Sequence, residues 1–179
     1  MYILRGIGDH DETRGERMSN DRLDLDIGFN AHSDGTTDDY YTPSYIFEAL
    51  GLKFDIDVCA PPGGIPWIPA ARSFSIIDDG LEQDWAGQLV WMNPPYSKPT
   101  PWMHKFIANG NGVALICSSK AAWFNTLWEA ADGILSMDPK IKFSTAHGEP
   151  KGIFMPTLLF GMGAENVEAM KQSGLGYVR

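Results

Sequence analysis

The chain has 179 residues, of which 44% are hydrophobic and 12% aromatic, and its formal net charge is −9. This length is enough for one ordinary hydrophobic core and short for two, and the aromatic content excludes a disordered or coiled-coil protein. Because no apolar stretch approaches the roughly 20 residues that span a bilayer, and residues 1–9 lack the basic-then-apolar order of a signal peptide, we expect a soluble, cytoplasmic protein without membrane contact.

The first part of the chain is a polar segment. Residues 1–37 are rich in Asp, Arg, Gly, Ser and Asn and show no sustained apolar period, which predicts a flexible acidic arm that could bind a partner protein. The folded domain is then predicted over residues 38–179. Residues 1–90 hold six basic and 17 acidic side chains, and residues 91–179 hold eight and six. The second half is therefore the part able to approach a polyanion, with modest, salt-sensitive affinity.

The predicted domain opens with a helix and a strand. Either Thr42 or Ser44 is expected near a helix N-cap, and Gly51 ends the apolar face that follows. Alternating apolar residues predict a strand at residues 54–58, which a cluster of two prolines and two glycines terminates. Residues 65–88 are predicted to form turns up to the next strand.

Strands and helices alternate through the rest of the chain. Strands are predicted at residues 88–92, 112–117, 133–137 and 153–160, and helices at residues 101–108, 123–131 and 164–173. Such alternation is typical of a compact α/β fold with a mostly parallel sheet, whose ligands lie at the carboxyl ends of the strands. The pattern of residues 138–160 differs and indicates an antiparallel hairpin at one edge of the sheet.

The clearest motif is Asn93-Pro94-Pro95-Tyr96, which lies between a predicted strand and a predicted helix. Pro94 forces Asn93 into an extended conformation, and neither proline has an N–H, so the loop is stiff and its carbonyls are free to accept hydrogen bonds. The Asn93 side-chain oxygen and the Pro94 carbonyl can hold the two hydrogens of an exocyclic amine. Tyr96 offers a flat face for a base rotated out of its stack. The alternative is an ordinary Pro-rich turn of an α/β protein.

Over residues 38–160 the chain resembles the compact phage-type Dam DNA N6-adenine methyltransferases. The shared elements are Thr42-Pro43, the FDIDVCA stretch at 54–60, Asp79-Gly80-Leu81, Trp85, the motif through Ser97, Trp102 and the KIKF stretch at 140–143. The resemblance implies a Rossmann-like class I methyltransferase fold, S-adenosylmethionine as methyl donor, adenine in double-stranded DNA as substrate, and no metal. The glycine-rich donor loop usual in methyltransferases is absent, because residues 60–64 read APPGG.

The resemblance and the strand positions together suggest five donor-binding residues: Thr42, Pro43, Asp57, Ala60 and Asp79. Asp57, at a strand end, is placed to hold the amino group or the ribose hydroxyls of the donor. Thr42 and Pro43 would lie against its methionine part, and Asp79 would reach its adenine amine. Each assignment has a structural alternative. An Asp at a strand end often caps a helix or turn, a Thr before a helix is often its N-cap, and Asp-Gly is an ordinary turn. A weak rival glycine loop stands at residues 160–163.

Lysines of the second half are candidates for contacts with DNA phosphates. They are Lys98, Lys120, Lys140 and Lys142, with His147 and Lys151 as further candidates. Trp123 and Phe124 could line a target pocket, but a core position is the more ordinary role for such a pair. Cys59 and Cys117 lack paired spacing and nearby paired histidines, which predicts reduced structural thiols without a metal.

Two alternatives to this function stay open. The same acceptor geometry would serve another planar amine, such as cytosine N4, adenine in RNA or a protein glutamine. By resemblance, Asn at the first motif position fits adenine or glutamine better than cytosine. A catalytically silent DNA-binding module would keep the fold without binding the donor.

Overall fold

Ten strands and four helices make up the part of the chain that the computed structural model describes, residues 40–137, 142–145, 150–152 and 155–179. In chain order they are β1 (Tyr40–Tyr41), α1 (Ser44–Leu50), β2 (Phe54–Asp57), β3 (Ala70–Ser73), β4 (Val90–Met92), α2 (Pro99–Asn109), β5 (Gly112–Cys117), α3 (Ala122–Ala130), β6 (Gly133–Met137), β7 (Lys142–Thr145), β8 (Pro150–Gly152), β9 (Thr157–Met162), α4 (Ala164–Gln172) and β10 (Gly176–Val178). The predicted arm lies outside the described residues. None of the helices in the described ranges is long and apolar enough to cross a bilayer.

Seven of these strands form one central sheet, in the order β10-β6-β9-β5-β4-β2-β3. The pairs β3·β2, β2·β4 and β4·β5 are parallel, whereas β9 is antiparallel to both of its neighbours and β10 is antiparallel to β6. Five strands therefore run in one direction and two in the other. This arrangement confirms the predicted α/β class with a mostly parallel sheet.

The antiparallel strands are not where the sequence predicts them. β7 and β8 form a hairpin, but they join β1 in a separate three-stranded sheet, order β1-β7-β8, and do not extend an edge of the central one. Within the central sheet the antiparallel strand β9 is internal, and every one of its residues is buried. A strand buried on both faces is apolar throughout, so its pattern carries no information about its direction.

Two strands that the sequence does not predict, β3 and β10, lie at the two edges of the central sheet. Each has a neighbour on one side only, and most of their residues are exposed. Neither therefore carries the apolar pattern of a buried strand. Backbone pairing with β2 and β6 fixes their conformation instead.

Helices cover both faces of the central sheet. Met103 of α2 and Leu127 of α3 are fully buried in one apolar cluster, and Met170 of α4 is fully buried in the other. Alternate residues of a strand point to opposite faces, so β4 turns Trp91 toward α1, where its ring centroid lies 4.6 Å from that of Phe47. The two neighbours of this tryptophan in β4 pack on the α2 side.

The parallel strands β3, β2, β4 and β5 all end at the same edge of the sheet. From β2 the chain continues to β3 on one side, and from β4 it continues to β5 on the other. A crevice forms where connections diverge in this way, and ligands of α/β sheets bind there. The ends of β2 and β4 are therefore the expected position of a site.

Candidate active site

A cavity of about 470 Å³ opens in this crevice. Its walls come from the loops that follow β2, β3 and β4 and from the segment around β1. Six of the predicted site residues line it: Thr42, Asp57, Ala60, Asp79, Asn93 and Pro95. Pro43, Pro94 and Tyr96 adjoin these residues in the chain but are not among the lining residues. The cavity thus brings together most residues expected for the donor and for the reacting amine.

Asn93 is held at the rim of the cavity by a contact from a distant strand. Its side-chain nitrogen, Nδ2, donates a hydrogen bond of 2.9 Å to the backbone carbonyl of Tyr40 in β1. A carbonyl can only accept, so the nitrogen end of the amide must face Tyr40. The oxygen end, Oδ1, is then left as an acceptor, and none of the described residues donates a hydrogen bond to it.

Asp57 ends β2 as a buried carboxyl group, with 3% of the residue exposed. One oxygen, Oδ1, accepts a hydrogen bond of 3.2 Å from the backbone N–H of Cys59. Burial raises the pKa of Asp57 to about 7, although the hydrogen bond from Cys59 opposes the shift. A cation bound in the cavity would favour the charged carboxylate and lower this pKa again.

Thr42 lies next to the N-cap of α1 but does not cap the helix, so the capping role that competed with donor binding is not observed. The N-cap of α1 is Pro43, no side chain caps the helix, and Ser44 is already its first residue. Thr42 is 1% exposed, and its hydroxyl has no hydrogen-bond partner among the described residues. Leaving a buried hydroxyl without a partner costs about 1–3 kcal/mol. A ligand in the cavity could provide the missing partner.

The Asp79-Gly80 pair forms a turn, as the competing structural role predicts, and both residues also line the cavity. Asp79 adopts a left-handed conformation with φ of 50°, and its side chain accepts a hydrogen bond of 3.2 Å from the N–H of Leu81. Gly80 packs against the end of β2, where a Cβ atom would lie 2.2 Å from the carbonyl oxygen of Val58. Trp85 then donates from Nε1 to the Gly80 carbonyl at 2.9 Å. The turn therefore holds Asp79 at the cavity.

Tyr96 is fixed by its hydroxyl to β5. The hydroxyl donates to the Leu115 carbonyl at 3.3 Å and accepts from the Cys117 N–H at 3.0 Å. Burial raises the pKa of Tyr96 well above its usual value, so the hydroxyl stays protonated. These bonds fix the ring of the last motif residue. The predicted use of its face for a rotated base stays a prediction.

The predicted phosphate contacts are distributed over two parts of the molecule. Lys98 and Lys120 are exposed on the loops after β4 and β5, at the same sheet edge as Asn93. Lys142 is exposed on β7 of the small sheet. Lys140 lies outside the described residues, as does His147, and Lys151 belongs to β8.

The rival glycine loop and the aromatic pair do not belong to this site. β9 runs against β5, so Gly163 after its end lies at the opposite edge of the sheet from Asn93. Phe124 is buried in the core with Trp123 packed against it, which is the core position that the sequence favoured for this pair. Across the residues that the structure describes, no group of three or more His, Cys, Asp or Glu side chains is arranged to hold a metal ion.

Sequence reasoning missed several residues of the cavity wall, among them Tyr40, Phe74 and Ile76. Tyr40 belongs to β1, whereas Phe74 and Ile76 follow β3, and the sequence predicts neither strand. Ile76 and Ile77 are 88% and 81% exposed at the tip of a surface turn. Two adjacent isoleucines in a segment predicted as turns are the signal that could have revealed a ligand-facing loop there.

Fold and cavity together define an α/β protein with a cavity at the carboxyl ends of its parallel strands. Residues 31–160 match the model of the family described as DNA N-6-adenine-methyltransferase (Dam), which is more than half of the chain. The chain therefore belongs to the Dam family.

A curated relative carries the same description. The DNA N-6-adenine-methyltransferase of Haemophilus phage HP1 (strain HP1c1) is 33% identical to the chain over 72 residues, which cover 37% of this chain and 39% of the relative. The match thus spans about two fifths of the relative's length. No solved structure matches the chain.

Proposed function

We propose that this chain is an enzyme that transfers a methyl group from S-adenosylmethionine to N6 of adenine in double-stranded DNA. The observation that carries the proposal is the orientation of Asn93, whose amide nitrogen is bound to Tyr40 and whose oxygen is left as an acceptor beside a cavity with a buried carboxyl group. Family membership favours adenine in DNA over the other planar amines that the same acceptors would serve.

The fold is consistent with a Rossmann-like class I methyltransferase, and we propose that assignment for residues 38–179. Its support is a mostly parallel sheet, helices on both faces and a crevice between the ends of β2 and β4. The arm at residues 1–37 and its possible protein partner stay predictions.

The cavity wall suits S-adenosylmethionine in charge and polarity. The donor's ammonium group would pair with the Asp57 carboxylate. The donor would also give the Thr42 hydroxyl the hydrogen-bond partner that it lacks. Asp79 offers an acceptor to the donor's adenine amine, and Pro43 and Ala60 would bound the methionine part. When bound, S-adenosylmethionine supplies an activated methyl group on a sulfonium centre.

The motif loop acts on the target amine. The lone pair of adenine N6 is delocalised into the ring, so the amine is a poor nucleophile until acceptors hold its two hydrogens. Asn93 Oδ1 and the Pro94 carbonyl are those acceptors in the proposed mechanism. As N6 gains positive charge during the transfer, the same two oxygens bind it more tightly, which lowers the barrier. Pro95 stiffens the loop, and Tyr96 provides a fixed face for the base that has left the duplex.

Exposed lysines would hold the DNA around this loop. Lys98 and Lys120 flank the motif at the sheet edge, and Lys142, with Lys140, would contact phosphates from the side of the small sheet. Each phosphate contact releases counterions, so binding should weaken steeply with salt.

The proposal is tested with purified protein, tritiated S-adenosylmethionine and duplex DNA. Wild-type protein should methylate adenine at N6, and Asn93→Ala should lower incorporation by about a thousandfold, the upper end for loss of one preorganised polar group. Asn125→Ala, at an exposed position of α3, is the matched control and should keep full activity. Undiminished incorporation by Asn93→Ala would contradict the site. Methyl groups found on cytosine or RNA would contradict the substrate, and donor binding with no transfer would favour a silent module.

A further inference from the structure

We infer that the backbone carbonyl of Tyr40 is a positioning group that sets the orientation of the Asn93 amide, and that the first motif position therefore works as an amide and not as a carboxylate in this chain. This inference rests on the proposed function, because it concerns the acceptor for the target amine. It adds a residue that lies 53 positions away from the motif in sequence.

The carbonyl is held by the small sheet and not by the central one. Tyr40 pairs with Thr145 in the antiparallel pair β1·β7, and Tyr41 pairs with Ser144. The Tyr40 ring meets that of Phe143 edge-on, with centroids 6.4 Å apart and ring planes at 84°. Phe143 is 1% exposed, so this contact lies in the protein interior. The position of the carbonyl is thus fixed independently of the loop that carries Asn93.

Such an anchor resolves an ambiguity of the asparagine side chain. The two ends of an amide have nearly the same shape, and rotation by half a turn exchanges a donor for an acceptor. In the rotated form, Oδ1 would oppose the Tyr40 carbonyl, and Nδ2 would face the target amine, donor against donor. Both contacts would be repulsive. The 2.9 Å bond from Nδ2 to Tyr40 therefore selects the one orientation that can accept from N6.

The same geometry predicts that aspartate cannot replace Asn93 at neutral pH. An ionised carboxyl group would set one oxygen against the Tyr40 carbonyl with no hydrogen between them. A protonated carboxyl group would donate to Tyr40 and keep its other oxygen as the acceptor. Asn93→Asp should therefore work only in its protonated form. Two other acidic groups line the same cavity, Asp57 and Asp79, and like charge there would raise the pKa of the introduced carboxyl group further.

Other ionisable groups of the cavity wall must be controlled for. They are Tyr40, Tyr41 and Cys59, together with Asp57, whose pKa of about 7 makes donor binding itself depend on pH. Rates are therefore compared at saturating S-adenosylmethionine. The informative quantity is the ratio of kcat for Asn93→Asp to kcat for the wild type at each pH.

We expect this ratio to be about one hundredth near pH 8.5, as for loss of one preorganised polar group, and to rise at least about tenfold toward pH 5.5 as the introduced carboxyl group takes up its proton. The affinity for S-adenosylmethionine, measured by calorimetry, should stay within about twofold of wild type, which separates this effect from unfolding. A ratio that does not change with pH, or full activity of the variant at pH about 8.5, would overturn the inference.

A second measurement does not need activity. In isotope-labelled wild-type protein, the side-chain amide signal that disappears in Asn93→Asp should show hydrogens protected from exchange with water, because one of them is bonded to Tyr40. Phe143→Leu, which loosens the packing of β1 while keeping an apolar side chain, should weaken this protection. Fast exchange of that amide in the wild type would refute the role of Tyr40 even if the protein methylates DNA. Protection in a protein that does not methylate DNA would instead contradict the proposed function alone.

Discussion

Two loops at one edge of the central sheet reach the same cavity by different means. The motif loop, residues 93–98, is stiffened by two prolines within its own sequence. The β3 loop, residues 74–80, contains no proline, and hydrogen bonds close it instead. Asp78 accepts from the N–H and the hydroxyl of Ser75 at 2.8 Å and 2.7 Å. The backbone of the motif loop is restricted by its covalent structure, although the side chains of Asn93 and Tyr96 also bond to β1 and β5. The β3 loop is held by contacts that exist only after folding.

Because the two loops are restricted differently, we expect substitutions in them to affect different properties of the protein. The β3 loop ends at Gly80, which is packed between the Val58 carbonyl and the ring of Trp102, so its shape depends on β2 and α2. Substitutions in the β3 loop should therefore affect stability first. Substitutions in the motif loop should affect the rate of methyl transfer first, because two prolines restrict its backbone whatever packs around it.

Asp57 lies between the two loops, and its replacement should have the largest effect. Burial raises its pKa from 3.8 to about 7, so the folded protein keeps a proton that the unfolded chain loses in acid. The stability from this proton is complete below pH about 4 and is lost as pH rises through about 7. Asp57→Asn removes the ionisable group and therefore this loss of stability at high pH. We expect its free energy of unfolding, without donor, to exceed that of the wild type by up to about 4 kcal/mol above neutral pH and to differ little in acid.

Urea unfolding at pH about 8.5 and about 3.5 measures this difference. Glu48→Gln, which removes an exposed carboxylate from α1, is the control and should change stability by less than about 0.5 kcal/mol at either pH. Asp57→Asn should also bind S-adenosylmethionine at least about tenfold more weakly, since a charged contact is lost. Unchanged donor affinity would show that this carboxylate has no part in donor binding. Stability below that of the wild type at high pH would contradict the cost assigned to burying its charge.

Gly80→Ala should have the next largest effect and should act on the β3 loop alone. The added Cβ atom would lie 2.2 Å from the Val58 carbonyl oxygen, and this is a backbone atom that cannot move without displacing β2. We expect a loss of about 3 kcal/mol in the free energy of unfolding. Gly87→Ala is the matched control, because φ there is 71° but nothing lies within 4 Å of the added atom. It should cost about 1 kcal/mol. Equal losses in the two variants would show that the close approach to Val58 does not constrain the turn.

The same contrast explains how far the sequence could predict this molecule. The motif loop was predictable because two prolines and a flanking strand and helix act over a few residues, and the main buried strands were predictable from apolar runs. β3 was not, since Arg72 and Ser73 are exposed and only pairing with β2 holds them extended. The contact of Asn93 with Tyr40 could not be predicted either, because β1 has only two residues and its position depends on the small sheet.

Pro95→Ala tests whether the stiffness of the motif loop affects the rate of methyl transfer more than stability. The ring of Pro95 restricts the backbone of the residue before it, and that residue carries the second carbonyl acceptor. Releasing it should lower kcat about tenfold through poorer alignment of the amine, while the free energy of unfolding changes by about 1 kcal/mol or less. Pro66→Ala, at an exposed loop position, should leave kcat unchanged. A variant that loses stability but keeps its rate would assign this proline to folding and not to alignment.

The smallest expected effect separates two neighbouring side chains of the β3 loop. Ile76 and Ile77 are almost equally exposed, at 88% and 81%, yet only Ile76 lines the cavity. If the apolar wall after β3 covers the donor's adenosine part, binding buries Ile76 and leaves Ile77 in water. Ile76→Ala should then weaken S-adenosylmethionine about fivefold, equivalent to about 1 kcal/mol of lost apolar burial, whereas Ile77→Ala should not change its affinity. Because both substitutions remove the same atoms from equally exposed positions, stability cannot account for a difference between them in calorimetry. Loss of donor affinity in Ile77→Ala alone would mean that the donor packs against Ile77 and not against Ile76.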